Sequence, residues 1–304
     1  MEFVHKSVLF NESIDSLNID ENKIILDATA GGGGHSSEIA KKAGLLIAVD
    51  QDPDAIEVLN ERLGELENVR IVKNNFENIK EILAELGVEK IDGVLLDLGV
   101  SSYQLDTAER GFSFHQDAEL DMRMSKSGLS AKDVVNTYSR EALADILFRY
   151  GEEKFANRIA QNIVEARQIK PIETTFELVD IIKKSYPSKA MRDSHPARKT
   201  FQAIRIEVNA ELERLSKTLD SALDCLNSGG RISVITFHSL EDRIVKERFA
   251  KWENPCTCPK EFPVCVCGNK PLGKRPFKSK APSENELKEN PRARSSRLRC
   301  FEKF

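Results

Sequence analysis

Two acids flank a run of glycines near the front of the chain, Asp27 before Gly31–Gly34 and Asp50 after it. A glycine-rich turn that follows a strand lets the backbone approach a ligand closely, with the N–H groups of the next helix pointed at it. Several cofactors are held in this way. The nicotinamide pattern G-x-G-x-x-G fails, because its sixth position is Ser36 counted from Gly31 and Ser37 counted from Gly32. The Walker pattern fails too, since no Gly-Lys-Ser/Thr is present. Acids on both sides of the turn favour S-adenosylmethionine, which has no pyrophosphate to cradle. Its ammonium is drawn to carboxylates, and its ribose diol can donate both hydroxyls to one carboxylate. Asp50 takes the ribose position in this reading, with an ordinary helix-capping acid as the plainer alternative.

A second candidate is the loop Asp97-Leu98-Gly99-Val100-Ser101-Ser102. The exocyclic nitrogen of cytosine or adenine is a poor nucleophile because its lone pair is delocalised into the ring. A side-chain oxygen and a backbone carbonyl that accept its two N–H bonds aim the lone pair at a methyl donor. Asp97 is the candidate catalytic residue on that logic, with Ser101 and Ser102 as substrate contacts. Amino-group methyltransferases commonly carry Asp/Asn/Ser-Pro-Pro-Tyr here, whereas this chain has Asp-Leu-Gly-Val, so a strand-ending turn is the plainer reading. His238 and Ser239 close a later strand pattern and should face the same crevice. The reaction hardly requires a base, because the amino group becomes strongly acidic once methylated, so a positioning or structural role suits His238 better. Arg110-Gly111-Phe112-Ser113-Phe114-His115 sets aromatics beside a cation, as RNA readers do, although phenylalanines are usually core. Cys256-x-Cys258 and Cys265-x-Cys267 supply four thiols with zinc-like clustering but a one-residue gap, which leaves zinc and free thiols in a mobile loop both open.

These residues need elements to position them. Short apolar runs at 24–26, 45–49, 69–72 and 91–97 read as strands, each followed by helical periodicity: 36–43 ending at Gly44, a helix opening at Asp52-Pro53, and 79–86. That alternation specifies a parallel, doubly wound sheet. From 105 to 196 the pattern is helical throughout, with candidate helices at 131–138, 140–150, 153–167 and 175–184, so an inserted helical domain is expected. One long helix over 201–226, a strand at 231–237, a helix at 240–252 and an edge strand at 297–301 complete the reading. The expected organisation is a first sheet segment at 1–104, the insert at 105–196 and a second sheet segment at 197–304.

Length and composition agree. A chain of 304 residues with 40% hydrophobic and 31% charged residues is globular and long enough for two cores. No apolar run approaches the roughly 18 residues of a membrane span, and the first residues hold no secretory signal, so a soluble, cytoplasmic protein without a membrane partner is expected. Six cysteines are too few for a disulfide scaffold. The net charge of −4 hides an asymmetry: residues 183–205 carry seven basic side chains against one acid, and residues 270–304 carry eleven against four. Two basic patches on an acidic body suit contact with a polyanion at one face, or are simply solvated surface.

Taken together, Asp27-Ala-Thr-Ala-Gly-Gly-Gly-Gly-His35-Ser36, Val49-Asp50-Gln-Asp-Pro53, Leu95-Leu-Asp97-Leu-Gly-Val-Ser-Ser102, Arg110-Gly-Phe-Ser-Phe114, Leu120-Asp-Met-Arg-Met124, Thr200-Phe-Gln-Ala-Ile-Arg-Ile206, Phe237-His-Ser-Leu-Glu-Asp-Arg243 and Asn290-Pro-Arg-Ala-Arg-Ser-Ser-Arg-Leu298 closely resemble the small-subunit ribosomal RNA methyltransferase H family. The resemblance runs nearly end to end. It implies a class I S-adenosylmethionine-dependent methyltransferase, Rossmann-like with an inserted helical domain, that methylates N4 of a cytidine near the decoding centre of 16S rRNA. By position, the cofactor residues it implies are Gly33, Gly34, His35, Asp50, Phe76, Asp97 and Gln104, with Phe76 flanking the adenine. Tyr103 stands where many relatives have proline, and the cysteine segment is not general to the family. Naked rRNA or the small ribosomal subunit is the expected partner, and the sequence leaves a homodimer open. The rival readings are a non-catalytic RNA-binding assembly factor and a nicotinamide oxidoreductase.

Overall fold

The computed structural model describes residues 7–187, 195–259, 262–264 and 266–304. Part of the basic run at 183–205 and the fourth thiol, Cys265, lie outside the described residues. The chain forms two compact units, one of residues 1–99 and 212–304 and the other of 100–211. The boundaries drawn from sequence were 105 and 196. The difference at the far end arises because the helix after Pro196 packs into the helical unit's own core.

The first unit is built on a seven-stranded sheet. Its strands are β1 (Ile24–Asp27), β2 (Leu45–Asp50), β3 (Val69–Lys73), β4 (Ile91–Asp97), β5 (Leu226–Thr236), β6 (Gly273–Lys274) and β7 (Arg297–Lys303), in the order β3-β2-β1-β4-β5-β7-β6. The first five are parallel, while β7 runs antiparallel to β5 and β6. Alternation along the strands sorts their side chains to two faces. Leu26, Ile47, Val94 and Leu96 meet α4 (Ile79–Glu85), α11 (Glu211–Cys225) and α12 (Ser239–Glu253) in one core. Their neighbours Ile25, Leu46, Ala48 and Leu95 meet α1 (Phe10–Leu17), α2 (Gly34–Ala40) and α3 (Pro53–Leu63) in the other.

Three local expectations are corrected. Gly44 is not a left-handed helix stop, because α2 ends at Ala40 and Gly44 is absent from the positive-φ glycines; a Cβ there would lie 2.4 Å from the Glu21 carbonyl, so close packing requires it. Strand β7 is not an edge, since β6 pairs with its outer side. The helix expected over 201–226 is two, α10 (Ala197–Asn209) and α11, separated by Ala210 in a left-handed conformation at φ 49°.

The second unit holds α5 (Ser102–Asp106), α6 (Ala131–Thr137), α7 (Arg140–Gly151), α8 (Ala156–Ile169), α9 (Thr175–Ser185) and α10 around a single core that includes Leu120, Val134, Leu147, Ile163, Leu178 and Ile204. Capping boxes start α6 at Ser130/Asp133 and α9 at Thr174/Glu177, each satisfying two backbone donors that the first turn leaves over. Arg110 is buried and donates to the carbonyls of Arg123 and Met124, both at 2.9 Å. Phe112 lies in the core, and Phe114 stacks on His195 with ring centroids 4.6 Å apart. Of the run read as a possible base-stacking surface, Arg110 and Phe112 are interior packing, whereas Phe114 is half-buried and His115 is exposed.

Candidate active site

The glycine turn is held by hydrogen bonds to both neighbouring strands. Ala28 N–H donates to the Leu95 carbonyl of β4, and Ala30 N–H to the Val49 carbonyl of β2, each at 2.9 Å. Gly33 then takes φ +81° to open α2, and a Cβ there would press Leu59 Cδ2 at 3.2 Å. At Gly34 a Cβ would fall 2.0 Å from Ser7 Oγ. Neither position admits a side chain without displacement, which leaves the backbone of the turn bare.

Three carboxyls surround this turn at the carboxyl ends of adjacent parallel strands, where open α/β sheets bind ligands. Asp27 is buried, and accepts Ser36 O–H at 2.6 Å and Thr29 N–H at 3.3 Å. Asp50 accepts Gly31 N–H through Oδ2 and Asp52 N–H through Oδ1, each at 2.8 Å. Asp97 closes β4, and its N–H donates to Thr29 Oγ1 at 2.6 Å. Its Oδ2 lies 3.7 Å from Nδ1 of the buried His35, whose ring stacks on Phe10. Its Oδ1 is buried with no hydrogen-bond partner.

Burial dominates the electrostatics. It raises the Asp27 pKa to about 6, against the lowering effect of its hydrogen bonds, and raises that of Asp50. For Asp97 burial comes first and the charges of Asp27 and Glu241 add to it, so the carboxyl stands well above its ordinary range. Three acids pushed upward at one spot, one of them with a buried orphan oxygen, form a site that gains from a cation.

The other expected residues are placed as follows. Phe76 opens a short 3-10 turn after β3 and packs partly on the core. Its turn is tied down by Asn75, which donates to Gln51 at 2.7 Å, and by Arg214, which lies 3.0 Å from Glu77. His238 caps α12: its Nδ1 accepts Glu241 N–H at 3.4 Å, and its Nε2 lies 3.1 Å from Glu241 Oε1. Ser101, Ser102 and Gln104 come together at the start of α5 in the second unit, where Ser101 Oγ accepts Gln104 N–H at 3.1 Å and Gln104 Oε1 accepts Ser101 N–H at 3.0 Å. Thr29, Ser36, Phe10 and Glu241 were not singled out in the sequence. Only Glu241 left a signal, as the N3 acid of a helix-start pattern after His238.

A family model described as the MraW methylase family matches residues 2–304. The chain belongs to that family. Relatives named "Ribosomal RNA small subunit methyltransferase H" include those of Clostridium botulinum (strain Kyoto / Type A2), 56% identical over 100% of both chains, and Lachnospira eligens, 56% identical over 100% of this chain and 99% of its own. The counterpart from Ruminiclostridium cellulolyticum is 55% identical over 100% of both. Among solved structures, an rRNA methylase from Streptococcus thermophilus aligns over 98% of each chain at 12% identity and a TM-score of 0.45. The resemblance drawn from the motifs therefore holds for this MraW-family chain. The α/β fold agrees, with five parallel strands and an antiparallel one inserted at the far side, and a methylase family calls for a methyl donor such as the S-adenosylmethionine expected from the sequence. The site fits that donor: a bare glycine turn, a carboxylate at the end of β2 and an unsatisfied buried carboxylate oxygen all suit a diol-bearing, positively charged molecule.

Proposed function

We propose that this methylase transfers a methyl group to N4 of a cytidine in small-subunit (16S) rRNA, near the decoding centre. The observation that carries the reading is Asp97: a half-buried carboxylate at the end of β4, beside His35, whose Oδ1 is buried and unsatisfied. The relatives' shared name supports rRNA as the acceptor, and the motif resemblance supports cytidine N4.

Bound at the glycine turn, S-adenosylmethionine supplies an electrophilic methyl group on a cationic sulfur. The chain's own residues do the rest. Gly33 and Gly34 keep the turn bare for close approach, and Asp50 accepts the diol. His35 lies beside Asp97, and Phe76 offers its ring beside the adenine. Asp97 accepts an N–H of the target amino group and so turns the nitrogen lone pair toward the methyl. Ser101 and Ser102 are assigned to the acceptor side and Gln104 to the cofactor side by the resemblance. His238 keeps the turn after β5 in place through its cap on α12 rather than taking a proton. The base reaches Asp97 by leaving its stack. Action on rRNA would place the work in the cytoplasm, and among the described residues no helix is long and apolar enough to cross a membrane.

The decisive experiment is mass spectrometry of small-subunit rRNA from a strain lacking this chain. One cytidine should be lighter by a single methyl and regain it when the wild-type chain is restored. An unchanged rRNA, with binding but no consumption of the donor by the purified protein, would favour an RNA-binding assembly factor instead.

A further inference from the structure

We propose that Cys256, Cys258 and Cys267 form a binding site for a thiophilic divalent cation, zinc foremost, that clamps the loop between α12 and β6. The sulfur atoms of these three residues all lie within 4.8 Å of one another, with Cys267 brought back from the other limb of the loop. Cys256 Sγ and Cys267 Sγ are 3.9 Å apart. In a tetrahedral zinc site with Zn–S bonds near 2.3 Å, the sulfur-to-sulfur edge is about 3.8 Å, whereas a disulfide needs about 2.05 Å. The spacing suits one shared ion.

The surroundings agree with this use. Val266 N–H donates to Cys258 Sγ at 3.2 Å, a contact that stabilises a thiolate and fixes its direction. Asn269 Nδ2 donates to the Pro255 carbonyl at 3.1 Å, drawing the two limbs of the loop together beside the sulfurs. The large apolar side chains described in the loop are not packed in a core: Val264 and Val266 are 70% and 72% exposed, and Phe262 is 52% exposed. A segment that buries so little gains its order from a cross-link, and metal binding supplies free energy of that kind directly. Three soft sulfur ligands select zinc over magnesium or calcium. Each thiol gives up its proton on binding, so affinity rises with pH.

The role is structural rather than catalytic. The cysteines follow the C-terminal end of α12, and His238 sits at its start. The helix has 15 residues, so its length separates the two by about 22 Å.

The test is metal analysis of protein purified under reducing conditions without chelator. About one zinc per chain is expected. Cys256→Ser and Cys267→Ser should each lose most of it, while Cys225→Ala, at a buried cysteine elsewhere, should keep it; circular dichroism checks that each variant is folded. Titration of the metal-stripped wild type with cobalt(II) should produce an intense sulfur-to-cobalt charge-transfer absorption. A folded wild type with neither zinc nor that absorption overturns the proposal. So does full zinc retention in Cys256→Ser, or a Cys256–Cys267 disulfide in the purified reduced protein.

Discussion

His35 Nδ1 stands 3.7 Å from Asp97 Oδ2, and both side chains lie at the rim of the same glycine turn. The imidazole is placed by the first turn of α2 and by its stack on Phe10, beside one carboxylate oxygen, while the other oxygen is buried with no partner of its own. An acceptor that is already oriented costs little reorganisation when the amino group arrives, and that is the main source of electrostatic catalysis.

Asp97→Asn replaces one acceptor with an amide and should lower kcat by about 100-fold or more, the usual cost of losing one preorganised polar group. Donor affinity should fall as well, because the cationic donor binds beside the same carboxylate, so turnover is compared with the donor saturating. Single-turnover methylation of the rRNA acceptor at saturating donor measures it, and near-normal turnover would remove Asp97 from its assigned role.

The raised carboxyl pKa values give a pH dependence of defined sign. Asp27 titrates near 6 in the folded chain against an ordinary 3.8, so between those values the native state binds more protons than the unfolded one. Its contribution to stability is present below 3.8 and is lost as pH rises through about 6, an effect on the order of 3 kcal/mol. Asp27→Asn should therefore raise the urea midpoint at pH 8 relative to the wild type, with the gain shrinking toward pH 4. A gain equal at both pH values would contradict the assignment.

Donor binding is linked to the same protons. A cationic ligand beside Asp27, Asp50 and Asp97 lowers all three pKa values, so binding releases protons and tightens as pH rises. Calorimetry in two buffers of different ionisation enthalpy should show proton release for S-adenosylmethionine and less for the uncharged thioether product. Equal release for both ligands would show that the sulfonium charge is not sensed.

Gly33→Ala places a Cβ at φ +81° and against Leu59. The left-handed strain of about 1–2 kcal/mol shifts the turn, and donor affinity should fall roughly 5- to 30-fold. Equilibrium binding of S-adenosylhomocysteine gives the readout.

The parallel strands and the acids at their ends could be read from the sequence because burial on two faces leaves unbroken apolar runs, and the first residue after each run is the one at the crevice. Asp27, Asp50 and Asp97 follow that rule. The break at Ala210 could not be read. No glycine or proline marks it, and it is imposed from outside the helix: Asn209 accepts Met124 N–H and donates to the Met122 carbonyl, while Arg205 pairs with Glu211. An alanine there bears strain of about 1–2 kcal/mol, so Ala210→Gly should raise the melting temperature despite its entropic cost of about 0.5–1 kcal/mol. For His238 the sequence shows a place after a strand and not the cap: its Nδ1 accepts Glu241 N–H at the start of α12, while its Nε2 is buried with no hydrogen-bond partner.

The packing of Val8 and Leu9 against Ile235, Ala293 and Leu298 joins residues from opposite ends of the sequence, as does the bond from Leu9 N–H to Glu286. During synthesis the ribosome releases the helical unit, with its whole core, long before those late residues. Nascent sheet strands must wait with β5 unpaired on one side until β7 emerges. A translational pause in that interval leaves an apolar strand edge bare, and such edges are prone to aggregate.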